Sequence, residues 1–196
     1  MTTDLFHPAA YGPPVEALLM DERLPELGPG RENQAAAEQL RALTVEKLFA
    51  GQKVADRNMA ECCLSGLWLW HDFLDESHTL SQAVETTSGS YWHGIMHRRE
   101  PDYFNSKYWF RRVGQHAIFP TLAQQAVRLA KEHPCDGAAA FLQRGNVWDP
   151  FAFVDLCEAI AHGKSTSEVL ARNVAKAEWQ LLFGHCWQAA IGQTRK

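Results

Sequence analysis

His93 and His97 stand four residues apart, and Glu100 follows three residues later, in the stretch YWHGIMHRREPDYFNSKYWFRRVG that runs from Tyr91 to Gly114. On a helix, at about 100° per residue, these three side chains fall within about 60° of one another. Two imidazoles at this spacing converge on one point. With a carboxylate one turn on, they can hold zinc or another divalent cation, or act as acid and base on a bound substrate. The Glu of a HExxH zinc-protease motif is missing from this pair, so peptidase chemistry is not indicated. His71 and His78 lie just after an apolar run and can supply further ligands.

Cations gather in the same stretch. Arg98 and Arg99 close one expected helix, and Lys107, Arg111 and Arg112 lie on the next. Lys107 and Arg111 share one face, Tyr108 and Arg112 another. The guanidinium fork suits carboxylate and phosphate. With Trp92 and Tyr108 as aromatic walls, the stretch suits a cavity for a polar or anionic small molecule. The competing expectation is that Glu100, Asp102, Asp72, Asp75 and Glu76 tie up these cations, and that rings such as Trp92, Tyr103, Trp109 and Phe110 simply pack.

Serines flank the histidines at 77, 81, 88 and 90, but no G-x-S-x-G elbow and no glycine-rich phosphate loop occurs. Serine hydrolase and nucleotide-loop chemistry are therefore set aside.

The elements that must position these groups read as helices. Asn33 is an expected cap for a helix to about Ala50, with Leu40, Leu43 and Leu48 inward. A second runs from about Val54 to Leu74. Its Cys62–Trp70 part is apolar on every side, as a buried central helix would be. Ser77 is expected to cap a short turn through Val84. Thr86, Thr87 or Ser88 starts a helix that ends by Glu100, before Pro101. Asn105 to Val113 forms the next, closed by Gly114. Pro120 opens another that stops before Pro134, and Asp149-Pro150 caps one reaching about Ala161. The spacing Ser165-x-x-Glu168 predicts a capping box that opens a last long helix to about Ile191, carrying Val169, Leu170, Val174, Leu181, Leu182, Phe183 and Trp187. No segment alternates with period two, so the expected fold is all-α: one irregular multi-helix domain over 31–196, with 1–30, rich in Pro and Gly, wrapped on its surface around one short helix near 15–20.

Composition narrows the partners. The 196 residues are 46% hydrophobic and 21% charged, with a net charge of −4. An acidic chain offers no bulk attraction to nucleic acid, so the local cations point to a small anion rather than a polynucleotide. No apolar run reaches the ~18 residues of a membrane span, and MTTDLFHPAAYGPP has no signal-peptide pattern. The five cysteines form an odd set without CxxC spacing. These features lead to the expectation of a cytoplasmic protein with reduced thiols.

The segments SGLWLWHDFLDESHTLSQ and ETTSGSYWHGIMHRREPDYFNSKYWFRRVGQH, from Ser65 to His116, resemble a family of uncharacterised bacterial and fungal proteins with a WHxIxHRREPDYxNxKYWFRRVGxH-like core. The match takes in Trp92, His93, Ile95, His97 to Tyr103, Asn105, Lys107 to Gly114 and His116. It implies a shared site there and no particular activity. Three functions stay open: a small-molecule site, catalytic or purely binding; a metal-dependent hydrolase or lyase on His93, His97 and Glu100 with His71 or His78; and a non-enzymatic helical interaction protein whose polar cluster is a buried network.

Overall fold

The computed structural model describes residues 6–20, 23–145 and 147–193. Among them are ten α-helices, two 3-10 helices and no strand. The all-α expectation therefore holds. The α-helices are α1 (Pro13–Leu18), α2 (Gln34–Ala42), α3 (Val45–Leu48), α4 (Arg57–Trp70) and α5 (Leu74–Ala83). They continue as α6 (Thr87–Arg99), α7 (Tyr103–Val113), α8 (Phe119–Glu132), α9 (Pro150–Ala161) and α10 (Glu168–Ala190).

Caps explain most of the boundaries. Asp56, Thr86, Asp102 and Asp149 each accept a backbone N–H of the first turn of α4, α6, α7 and α9, satisfying donors that a helix start leaves open. Gly114 ends α7 at φ +59°, a conformation costly for any side chain with a Cβ.

The apolar run from Cys62 to Trp70 is buried throughout, and α10 lies against it. Trp179 of α10 donates its indole N–H to the Gly66 carbonyl at 2.8 Å. A Cβ on Gly66 would sit 2.8 Å from the Trp92 ring, so this glycine lets α4 and α6 approach.

Several local expectations fail for identifiable reasons. The helix expected from Asn33 to Ala50 breaks into α2 and α3, because Thr44 turns extended and caps α3 by accepting from Lys47 N–H. Asn33 makes no cap; its amide goes to His71. Ser77 caps nothing: it sits inside α5, its hydroxyl against Ser65 of α4. The capping box at Ser165 does not form. Ser165 donates to Asp136, which also takes the backbone N–H of Thr166 and the first N–H groups of the 3-10 helix Gly137–Gln143. Val169, expected inward, is exposed. The N-terminal segment is seated by its rings, with Phe6 and Tyr11 packed on Phe183. Residues 1–5, 21 and 22 of that expected wrapping segment lie outside the described residues. No described helix is long and apolar enough to cross a membrane.

Candidate metal centre

Helix α6 packs against both α7 and α5. Thr86, Ser90, His93 and His97 recur along a single face of α6, within about 60° of one another. The facing side of α7 presents Asn105, Trp109 and Arg112, and α5 brings His78 and Ser81. The two faces run antiparallel: Asn105, at the start of α7, meets His97, at the end of α6.

Three imidazoles meet in this layer. His78, His93 and His97 offer ring nitrogens within 4.8 Å of one another. Ring centroids lie 4.6 Å apart for His78–His93, 4.7 Å for His93–His97 and 5.4 Å for His78–His97. A tetrahedral zinc sets its nitrogens about 3.3 Å apart, so side-chain rotations of about an ångström close the group on an ion. His93 and His97 are buried and His78 half-buried, which leaves the last toward solvent.

Hydrogen bonds engage the Nδ1 of both buried rings. Ser81 gives its hydroxyl proton to the His78 carbonyl at 3.2 Å. Its oxygen also lies 3.0 Å from His93 Nδ1, and with the hydroxyl proton on the carbonyl it accepts from Nδ1–H and leaves Nε2 to the cluster. His97 Nδ1 lies 3.0 Å from the Glu100 carboxylate, which can only accept. So His97 is also an Nδ1–H tautomer. His93 keeps its Nε2 lone pair for a ligand, whereas that of His97 accepts from the Asn105 amide, a bond that an ion would displace. A carboxylate or hydroxyl behind a metal-binding imidazole is the usual arrangement for fixing tautomer and ring angle. Asn105 lies 3.2 Å from His97 Nε2. Its side-chain amide can turn to offer either nitrogen or oxygen toward the same space.

The electrostatics favour lone pairs. Burial, then the neighbouring His97 and His78, pushes His93 down to about 3. Burial also lowers His97, although the Glu100 carboxylate opposes the shift. Both are neutral at pH 7, as metal ligation requires. Trp109 covers His93 with its ring centroid 4.0 Å away.

The other expected site residues go elsewhere. Glu100 stands behind His97 rather than among the converging atoms. His71 lies outside the cluster, with Asn33 3.0 Å from its Nδ1. Trp92 is core, packed on Trp179. Arg98 is fully buried and forms an ion pair with Glu178 of α10, which also accepts from the Tyr91 hydroxyl at 2.9 Å. Arg99 binds Asp72 at 2.5 Å and the carbonyls of Gly28 and Pro29 at 2.6 and 3.3 Å. These two arginines hold helices and the N-terminal segment together; they do not face the histidines. Lys107 pairs with Asp155 of α9. Tyr108 and Arg111 are on the surface. Arg112 lies over Trp109, 5.0 Å from the ring centroid.

Ser81 and Asn105 are the members that sequence reasoning missed as site residues. A signal existed for each: Ser81 is three residues from His78 on one face, and Asn105 begins the Asn105–Trp109–Arg112 stripe. No family model, no curated protein and no solved structure matches this chain.

Proposed function

We propose that this chain is a metal-dependent hydrolase with a zinc-class ion on His78, His93 and His97 and a fourth position for water. The observation that carries the reading is the convergence of three ring nitrogens, two of them backed at Nδ1 by Ser81 and Glu100. Three protein ligands and one open position define catalytic rather than structural zinc. An ion held by these three rings would lower the pKa of a bound water to about 7 and so supply hydroxide at neutral pH. Asn105, beside the His97 lone pair, can hydrogen-bond that water or an oxyanion formed from it. The substrate is a polar or anionic small molecule, in keeping with Arg112 over the Trp109 ring that covers His93.

Calorimetric titration of the chelator-treated protein with zinc tests this. One ion per chain should bind, and His78→Ala, His93→Ala and His97→Ala should each weaken binding severely. Hydrolysis of 4-nitrophenyl acetate that needs zinc and is lost in His93→Ala supports a catalytic ion. Wild-type zinc affinity no better than that of the variants overturns the proposal.

A further inference from the structure

The face that carries the histidines continues past them to a second feature. Glu85, Thr86, Thr87, Ser90 and Arg112 line a surface cleft at the N-terminal end of α6. Ser90 precedes His93 by one turn on the same face. Arg112 lies over the Trp109 ring, whose nearer contact on α6 is His93. Cleft and histidines therefore share one helix–helix seam, with half-buried Trp109 as the wall between them. Along α6, at ~1.5 Å of rise per residue, Ser90 is about 7 Å and Thr87 about 12 Å from the middle of the histidine pair.

The chemistry of this cleft differs from that of the other cations. Arg98, Arg99 and Lys107 are each paired with a carboxylate. Arg112 has no carboxylate within ion-pair distance among the described residues; its guanidinium lies over the Trp109 ring. Its guanidinium keeps its hydrogen-bond donors for a ligand. Ser90 and Thr87 add hydroxyls beside it. Glu85 on the rim lowers the positive potential, which disfavours a phosphate dianion and leaves a singly charged carboxylate as the better guest.

We propose that this cleft is the anchor for the substrate of the metal centre, and that the substrate is a carboxylic acid. Its carboxylate rests on Arg112 with Ser90 and Thr87, and its hydrolysable group lies about 7–12 Å away at the ion, with the connecting chain along Trp109. The inference rests on the metal reading above. Arg112 is a specificity residue here; it does not touch the reacting atoms.

Hydroxamates test both ideas separately, because the hydroxamate group binds zinc and the tail reports on the cleft. Zinc-loaded wild type and Arg112→Ala would be titrated with acetohydroxamic acid, octanohydroxamic acid and suberic acid monohydroxamate. The last two share chain length and differ by a terminal carboxylate. Because Arg112 is exposed, the carboxylate should tighten wild-type binding by about tenfold at low salt rather than more. In Arg112→Ala the advantage should vanish while acetohydroxamic acid binds as before, and Arg112→Lys should restore part of it. Circular dichroism confirms that the variants fold. If acetohydroxamic acid binds but the carboxylate gives no advantage, or the advantage survives Arg112→Ala, the anchor is wrong and the metal centre stands. If no hydroxamate binds the zinc-treated protein, the metal reading itself fails and the anchor with it.

Discussion

Replacing Glu178 with Gln should cost this fold a large part of its stability. Glu178 is wholly buried and Arg98 nearly so, at 0% and 2% exposure. The carboxylate takes both terminal nitrogens of the guanidinium as well as the Tyr91 hydroxyl. The amide keeps the shape but removes the charge, leaving Arg98 cationic in the core. Removing one partner of a buried pair typically costs about 3–5 kcal/mol. Against a usual total of about 5–15 kcal/mol, that is about a fifth or more. At ~2–4 °C per kcal/mol for a chain of this size, the melting temperature should fall by about 10 °C. Arg98→Ala should cost a similar amount. The double replacement Arg98→Met with Glu178→Leu should recover much of the loss, because no unpaired charge remains. Urea and thermal unfolding of the three variants give the answer. Near-wild-type stability of both single variants would refute the assignment of Arg98 to the scaffold and return it to the pool of ligand-binding cations.

Three further outcomes follow from the geometry. Glu100→Gln and Ser81→Ala should each weaken zinc binding about tenfold with little change in fold, since each group orients a ligand without being one; unchanged dissociation constants in calorimetry would contradict this. His93 and His116 are both pushed down to about 3, chiefly by burial. The unfolded chain therefore binds more protons than the folded one between those values and the ordinary histidine range near 6.5. Stability should be full above about pH 6.5 and decline as pH falls toward 3; a urea midpoint that does not move between about pH 6.5 and 5, above the carboxylate range, would overturn it. Gly89→Ala should destabilise by about 1–3 kcal/mol, because its Cβ would fall 2.1 Å from the Val84 carbonyl oxygen; unfolding at the wild-type midpoint would show that the α5–α6 corner yields.

How much of this was legible depends on the range of each interaction. The i,i+4 spacing of His93 and His97 survives folding because both lie on one helix, and the cap at Thr86 was readable for the same reason. His78 could be named as a ligand but not placed, since the corner that folds α5 onto α6 depends on Gly89 having no Cβ. The roles of Arg98 and Arg99 were not readable. The carboxylate of Arg98 lies 80 positions away, beyond any local rule, and Asp72, 27 positions before Arg99, stood among five candidate acids with nothing to single it out. The failed box at Ser165 has the same origin, because Asp136 competes from 29 positions upstream. Local rules work where helical geometry supplies the neighbour, and they fail where tertiary packing does.

The central claim is that three imidazoles hold one ion. Zinc K-edge X-ray absorption on the protein loaded with one equivalent of zinc measures this directly. The account predicts three imidazole nitrogens at about 2.0–2.1 Å, a nitrogen or oxygen atom completing a four-coordinate shell, and no sulfur. A shell with thiolate sulfur, or with fewer than three imidazoles, would contradict it.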